Sequence, residues 1–212
     1  MEKENKKVRS MTITYEVDGG LYINLTNRCS NACEFCIRNN GNGAYGSNSL
    51  WLQHEPTLEE IKADIDKRDL ADFTEAVFCG YGEPTYRLDV AREVALYIKS
   101  IKPDMRVRMN TNGQADIILG RECAEDFEGA FDAVSISLNT PSSEKYNEIC
   151  HPVYGKRAYF AMLDFAERVK VFVPDVRLSV VRQTLSEEEL LLCEKIAEER
   201  GVKLRVRDYI SE

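Results

Sequence analysis

Three cysteines fall within eight residues, Cys29, Cys33 and Cys36 in "CSNACEFC", and the next one is as far on as Cys79. Thiolates are soft ligands that suit zinc or iron–sulfur clusters. A structural zinc site closes with four ligands, and neither His54 nor a further cysteine stands at a recognisable spacing to complete one. The Cys-x3-Cys-x2-Cys spacing suits three corners of a cubane [4Fe–4S] cluster, with the fourth iron left for a small molecule. Zinc stays open as the alternative.

Other polar motifs recur at the ends of apolar runs. "GYGEPT" (80–85) places Gly80 and Gly82, which allow close backbone approach, beside the carboxylate of Glu83. Such a loop would suit a ligand ammonium group; an ordinary strand-to-helix loop is the plain alternative. "NTNG" (110–113), "SLNT" (137–140), "RQT" (182–184) and Asp208-Tyr209 each close a further run.

The elements that must position these groups alternate along the chain. "MTITYEV" (11–17) and "LYINLT" (21–26) flank the tight turn "DGG". Five more strands are predicted at 75–79, 105–110, 133–138, 176–181 and 202–209. Helices are predicted at 57–73, 86–101, 114–128, 142–149 with 155–171, and 186–200. Thr57 with Glu60 and Ser186 with Glu189 read as capping boxes, and Gly201 as a helix C-terminal glycine. Counting 21–26 as the first, six strands with helical crossovers predict an α/β fold with a parallel sheet, preceded by a short N-terminal β-hairpin strand. An open, partial (β/α)6 barrel and a doubly wound sheet both fit. In either, function gathers beyond the carboxyl ends of the strands, where all the motifs fall.

The 212 residues fit one domain, expected at 11–212 after a disordered tail at 1–10. A net charge of −8 argues against binding long nucleic acid. No apolar run suits a membrane span, and "MEKENKKVRS" lacks a signal-peptide core, so a cytoplasmic setting with reduced thiols is expected.

These residues resemble the radical S-adenosylmethionine (SAM) superfamily. "CSNACEFC" fits its three-cysteine motif with Phe35 as the aromatic, "GYGEP" looks like its Gly-Gly-Glu motif, and "MNTNG" is similar to its ribose-side segment. The wording "LYINLTNRCSNACEFCIRNN" and "GYGEPTYR" is similar to the small members linked to the TatD nuclease family. The resemblance implies an open (β/α)6 barrel, a [4Fe–4S] cluster and SAM, with Cys29, Cys33 and Cys36 on iron. Phe35 would pack beside the cofactors, Gly80, Tyr81, Gly82 and Glu83 would line the amine site, and Asn110 and Thr111 would hold the ribose and carboxylate. Ser137 and Asn139 stand where some members carry an acid and a lysine, a departure from the pattern. Arg182 could pair with the SAM carboxylate; Arg207 and Asp208 are weaker candidates.

The implied reaction is reductive cleavage of SAM to a 5′-deoxyadenosyl radical that abstracts a substrate hydrogen, fed by a flavodoxin- or ferredoxin-type electron donor. The substrate, whether a protein, a nucleotide or a small metabolite, is not readable. A chain without room for a further substrate domain would favour a large partner over the barrel mouth. An activase that installs a glycyl radical on a partner enzyme, and a non-catalytic zinc or iron–sulfur module, are the alternatives.

Cys79 and Cys193 read as buried small hydrophobes. Cys150 and His151 read as a helix end closed by Pro152, with a hydrogen donor or proton relay as the other possibility. The long segment 38–56 reads as a lid, with Tyr45, Trp51 and His54 as its contacts or Trp51 as its anchor.

Overall fold

The computed structural model describes residues 7–208. Most of the expected tail, and Tyr209, lie outside them. Within the described part the chain is already engaged at Ser10, which bridges Leu52 and receives the amide of Gln53 at 3.0 Å.

β1 (Thr14–Val17) and β2 (Gly20–Ile23) form an antiparallel hairpin. Asp18 and Gly19 both adopt positive φ, the condition for a two-residue turn that matches strand twist. β2 then starts a run of parallel pairings through β3 (Glu75–Phe78), β4 (Arg106–Thr111), β5 (Ala133–Ser137), β6 (Asp175–Val181) and β7 (Lys203–Arg207). The order is β1-β2-β3-β4-β5-β6-β7, with β1 and β7 as edges that do not pair with each other. This is the expected open, partial barrel of six parallel strands with one antiparallel strand added.

The crossovers carry α1 (Leu58–Ile65), α2 (Leu88–Ile101), α3 (Ala115–Leu119), α4 (Ser143–Cys150), α5 (Arg157–Val169) and α6 (Glu187–Glu199). The capping boxes of α1 and α6 form as predicted. Two helices are shorter than their sequence pattern. The stretch 57–73 ends at Ile65, and Asp69 then caps a separate 3-10 turn through Ala71 N. The stretch 114–128 stops at Leu119 because Gly120 turns left-handed and the Asp116 carboxylate takes the amide of Cys123 at 2.8 Å.

Each inner strand buries one face under the helices. Val107, Met109, Val134, Ile136, Leu178 and Val180 are at most 1% exposed and belong to the main core. Their neighbours along the strands are polar and share the opposite face: Asn110 pairs with Ser135, Ser137 with Ser179, and Ser179 with Arg205. Parallel strands buried on both faces are usually apolar throughout. The polar inner face here marks a lined cavity instead of a filled barrel. Among the described residues no helix is long and apolar enough to cross a membrane.

Candidate cluster and cofactor site

A cavity of about 320 Å³ opens at the carboxyl ends of the strands. That volume is within the range of small-molecule sites. Cys29, Cys33 and Cys36 line it, as do Phe35, Gly80, Tyr81, Gly82, Glu83, Asn110, Thr111, Ser137 and Asn139. Arg182 does not; its guanidinium is ion-paired with Glu187 at the start of α6. A carboxylate five residues away satisfies the arginine outside the cavity.

The cysteine loop is held by partners far along the chain. Asn31, between Cys29 and Cys33, donates to Tyr146 Oη at 3.0 Å and accepts from Gln114 Nε2 at 2.8 Å. Gln114 Nε2 also reaches Tyr146 Oη at 3.1 Å, which closes a buried triangle. Main-chain bonds add Ala32 N to Cys150 O and Glu34 N to Ile149 O, both 3.0 Å. Asn112 ties the loop to β4, donating to Ser30 Oγ at 2.8 Å. None of these partners was legible as such in the sequence.

Glu83 is buried and takes four hydrogen bonds. Its Oε1 accepts from Thr85 N at 3.1 Å, Thr85 Oγ1 at 2.8 Å and Thr111 Oγ1 at 2.7 Å; Oε2 accepts from Asn112 N at 2.7 Å. Burial pushes its carboxyl pKa up against the pull of these donors. On their Cβ sides the two glycines meet the protein's own chain. A Cβ on Gly80 would lie 2.1 Å from Asn24 Oδ1, and one on Gly82 would lie 2.2 Å from Thr26 O. On that side the close approach is to the segment leading into the cysteine loop.

Burial pushes the Cys29 thiol up to about 12, reinforced by the nearby Glu83 charge and opposed by the Asn31 amide. Cys33 is raised by its hydrogen bond to Cys150 and by burial, and Cys36 chiefly by burial. Thiols and a carboxyl that resist ionisation while buried together become favourable anions beside a cation. The donor set thus fits an iron–sulfur cluster. Among the described residues no three His, Cys, Asp or Glu side chains converge to hold a single metal ion; a cubane takes its thiolates at separate corners. Asn139 also fits a polar ligand. It is 2% exposed, its φ is +62°, and its Oδ1 has no partner among the described residues.

Of the remaining cysteines, Cys193 and Cys123 are buried in the main core. Cys79, read as a plain core residue, faces the cavity with Tyr15, Tyr22 and Tyr45. Cys150 is buried against Cys33 and Asn139. His151 ends α4 in the left-handed region and lies 3.2 Å from Glu34, outside the cavity wall. The segment 38–56 is anchored more than expected of a lid: Leu50 and Trp51 are buried, and Tyr81 Oη donates to Gly43 O at 2.8 Å. Tyr45 reaches the cavity, whereas His54 is exposed beside Glu60.

The fold and site define a class: open parallel barrels with a thiol-lined cavity at their carboxyl rim. The family model described as the Radical SAM superfamily matches residues 23–192. The chain belongs to that superfamily, whose enzymes use a [4Fe–4S] cluster and SAM. It is similar to a probable GTP 3′,8-cyclase of Methanosarcina acetivorans, 30% identical over 130 residues, 61% of this chain and 36% of the relative. The chain thus spans about a third of that curated relative. Solved structures of Streptococcus suis SuiB share the fold. With precursor peptide SuiA bound, the TM-score is 0.62 at 16% identity, covering 90% of this chain and 39% of that one. With SAM bound, it is 0.60 at 17%, covering 89% and 38%.

Proposed function

We propose that Cys29, Cys33 and Cys36 hold the cluster and that SAM and a substrate share the cavity behind them. When bound, cluster and SAM would supply one-electron reductive cleavage of the sulfonium carbon–sulfur bond and, through it, abstraction of a substrate hydrogen. The chain's residues bind and orient. The rim formed by Gly80 to Glu83 takes the methionyl amine, with Glu83 holding that rim against β4. Asn110 and Thr111 meet the ribose side, and Asn139 Oδ1 offers a free acceptor. Phe35 and Tyr81 exclude water.

A single observation carries this reading: the three thiols and the ends of β3, β4 and β5 line one cavity. The electron comes from a flavodoxin- or ferredoxin-type donor in a reducing, cytoplasmic compartment. The peptide in a structural neighbour's name makes a peptide one candidate substrate, beside nucleotides and small metabolites.

The test is electron paramagnetic resonance of anaerobically reconstituted, reduced protein with and without SAM, with 5′-deoxyadenosine assayed in the same tube. A cluster signal that changes with SAM, deoxyadenosine formation, and loss of both in Cys29→Ala are expected. Protein that loads only zinc, or a cluster blind to SAM, would overturn the reading in favour of a metal-binding module.

A further inference from the structure

The inner face of the barrel carries more arginine than the cofactors account for. Arg108, Arg205 and Arg207 all line the cavity of a chain whose net charge is −8. They fall into two groups. Arg108 is neutralised: Nη2 lies 2.6 Å from Glu75 Oε1, Nε lies 3.1 Å from Oε2, and Nη1 donates to Asn110. Arg106 and Arg177, below the cavity, are both paired with Asp175. Arg205 and Arg207 have no hydrogen bond or ion pair among the described residues.

These two are consecutive inward positions on β7, since alternate residues of a strand share a face. Ser179 is paired with Arg205, and Ser137 with Ser179, so a hydroxyl-lined strip runs from the arginines across the sheet. Arg207 lines the same cavity as Cys36, Cys79 and Tyr45. Of the carboxylates at that wall, Glu75 is bonded to Arg108, with Arg205 near enough for its charge to favour the same carboxylate, and Asp208 accepts from Gln183 at 3.2 Å. Two adjacent guanidinium forks with hydroxyls beside them match the oxygens of a bidentate oxyanion.

We propose that the β7 wall binds an oxyanion of the substrate, a phosphate or a carboxylate, through Arg205 and Arg207. This rests on the radical SAM reading for the identity of the cavity. It adds that the substrate is anionic and that its charged end lies against β7, across from the Glu83 rim. Arg205 and Arg207 are binding residues; the strip Ser137–Ser179 lies between them and the cofactor side.

Anaerobically reconstituted protein with SAM is titrated calorimetrically with pyrophosphate and, separately, with citrate. Saturable binding of at least one probe is expected, and the tighter one names the oxyanion. The Arg205→Gln/Arg207→Gln variant should raise the Kd about tenfold or more, and an Arg205→Lys/Arg207→Lys variant should recover part of the loss. Rising salt should weaken binding to wild type more than to the Gln pair. Thermal unfolding checks that the variants fold, and the SAM-dependent resonance change should persist in both.

Absence of saturation by either probe at millimolar concentration would overturn the proposal. Equal affinity in the Gln pair would do the same and leave the arginines as protection of an edge strand. Loss of the SAM-dependent change in the Gln pair would reassign them to the cofactor. Arginine-dependent probe binding without any response to SAM would instead sink the radical SAM reading and leave the anion site standing.

Discussion

Glu83 and Thr111 join the ends of β3 and β4 across the cavity wall, with carboxylate Oε1 and hydroxyl Oγ1 2.7 Å apart. The other carboxylate oxygen takes Asn112 N, whose side chain in turn holds Ser30 beside Cys29. A residue that the motif presents as a ligand contact is thus also the clamp between two loops and the cysteine segment.

Glu83→Gln tests the clamp. A carboxamide turns an N–H₂ toward one set of donors, which strands buried groups and costs about 1–3 kcal/mol. Urea unfolding should show that loss in the apoprotein, with no cofactor needed. Thr111→Val, which removes the bond to Glu83 and the acceptor of the Gly113 amide at 3.0 Å, should cost about 1–3 kcal/mol.

Gly82→Ala should destabilise through contact alone. The added Cβ would lie 2.2 Å from Thr26 O and 2.7 Å from Arg28 O, both backbone atoms. Overpacking of this kind costs about 1–3 kcal/mol or more. Gly129→Ala is the control: it has φ +71° and nothing within 4 Å, so only backbone strain of about 1–2 kcal/mol is expected. Denaturation midpoints should rank the two in that order.

The cysteines should separate by role. Cys36→Ala should abolish iron loading, whereas Cys193→Ala should keep it. Cys193 is fully buried in α6 against the main core, and its loss should cost about 1 kcal/mol of stability. Iron and sulfide analysis beside urea melts would read both; iron loss in Cys193→Ala would contradict the assignment.

Acid should weaken the fold through specific carboxylates. Burial acts to raise Glu75, but the hydrogen bonds and charge of Arg108 more than reverse it. Asp175 is lowered mainly by Arg177, and Asp64, against burial, by Thr14 and Lys67. A carboxyl whose folded pKa is depressed contributes fully above its unfolded value, about 4, and loses that contribution as pH falls through the folded one. Urea midpoints should therefore be level near neutrality and drop below about pH 4, with a shallower drop in Glu75→Gln.

Tyr81→Phe should loosen the segment after the cysteines. The hydroxyl donates to Gly41 O at 3.2 Å and Gly43 O at 2.8 Å, while the ring packs edge-on to Trp51. The ring contact stays in the variant and the tether goes. Limited proteolysis should cut 38–48 faster, with a global stability change of about 1 kcal/mol.

Much of this architecture was legible because it is local. The hairpin turn at Asp18-Gly19, both capping boxes and the six-fold alternation are written in short patterns, and the strands begin within a few residues of their expected places. What was not legible has physical causes. Arg182 pairs with Glu187, five residues on, at the start of α6 and outside the cavity lining. Gly80 and Gly82 signal close approach, but not by what, and on their Cβ sides the neighbour is the chain itself. The polar inner face was in plain view as Arg205 and Arg207 alternating with Leu204 and Val206, and Ser135 and Ser137 with Val134 and Ile136. The Asn31–Gln114–Tyr146 triangle was beyond reach, since nothing local announces a partner 115 residues away.

That separation bears on how the protein is made. Thiols only a few residues apart are held in place by Gln114 and by the end of α4, so their arrangement must wait for chain synthesised much later. Closing so long a loop costs entropy that only the docked strands and helices repay. A growing chain that has emerged as far as β3 presents three unsupported cysteines. The competence to accept a cluster is therefore a late event in folding, and partial unfolding around α4 would end it first.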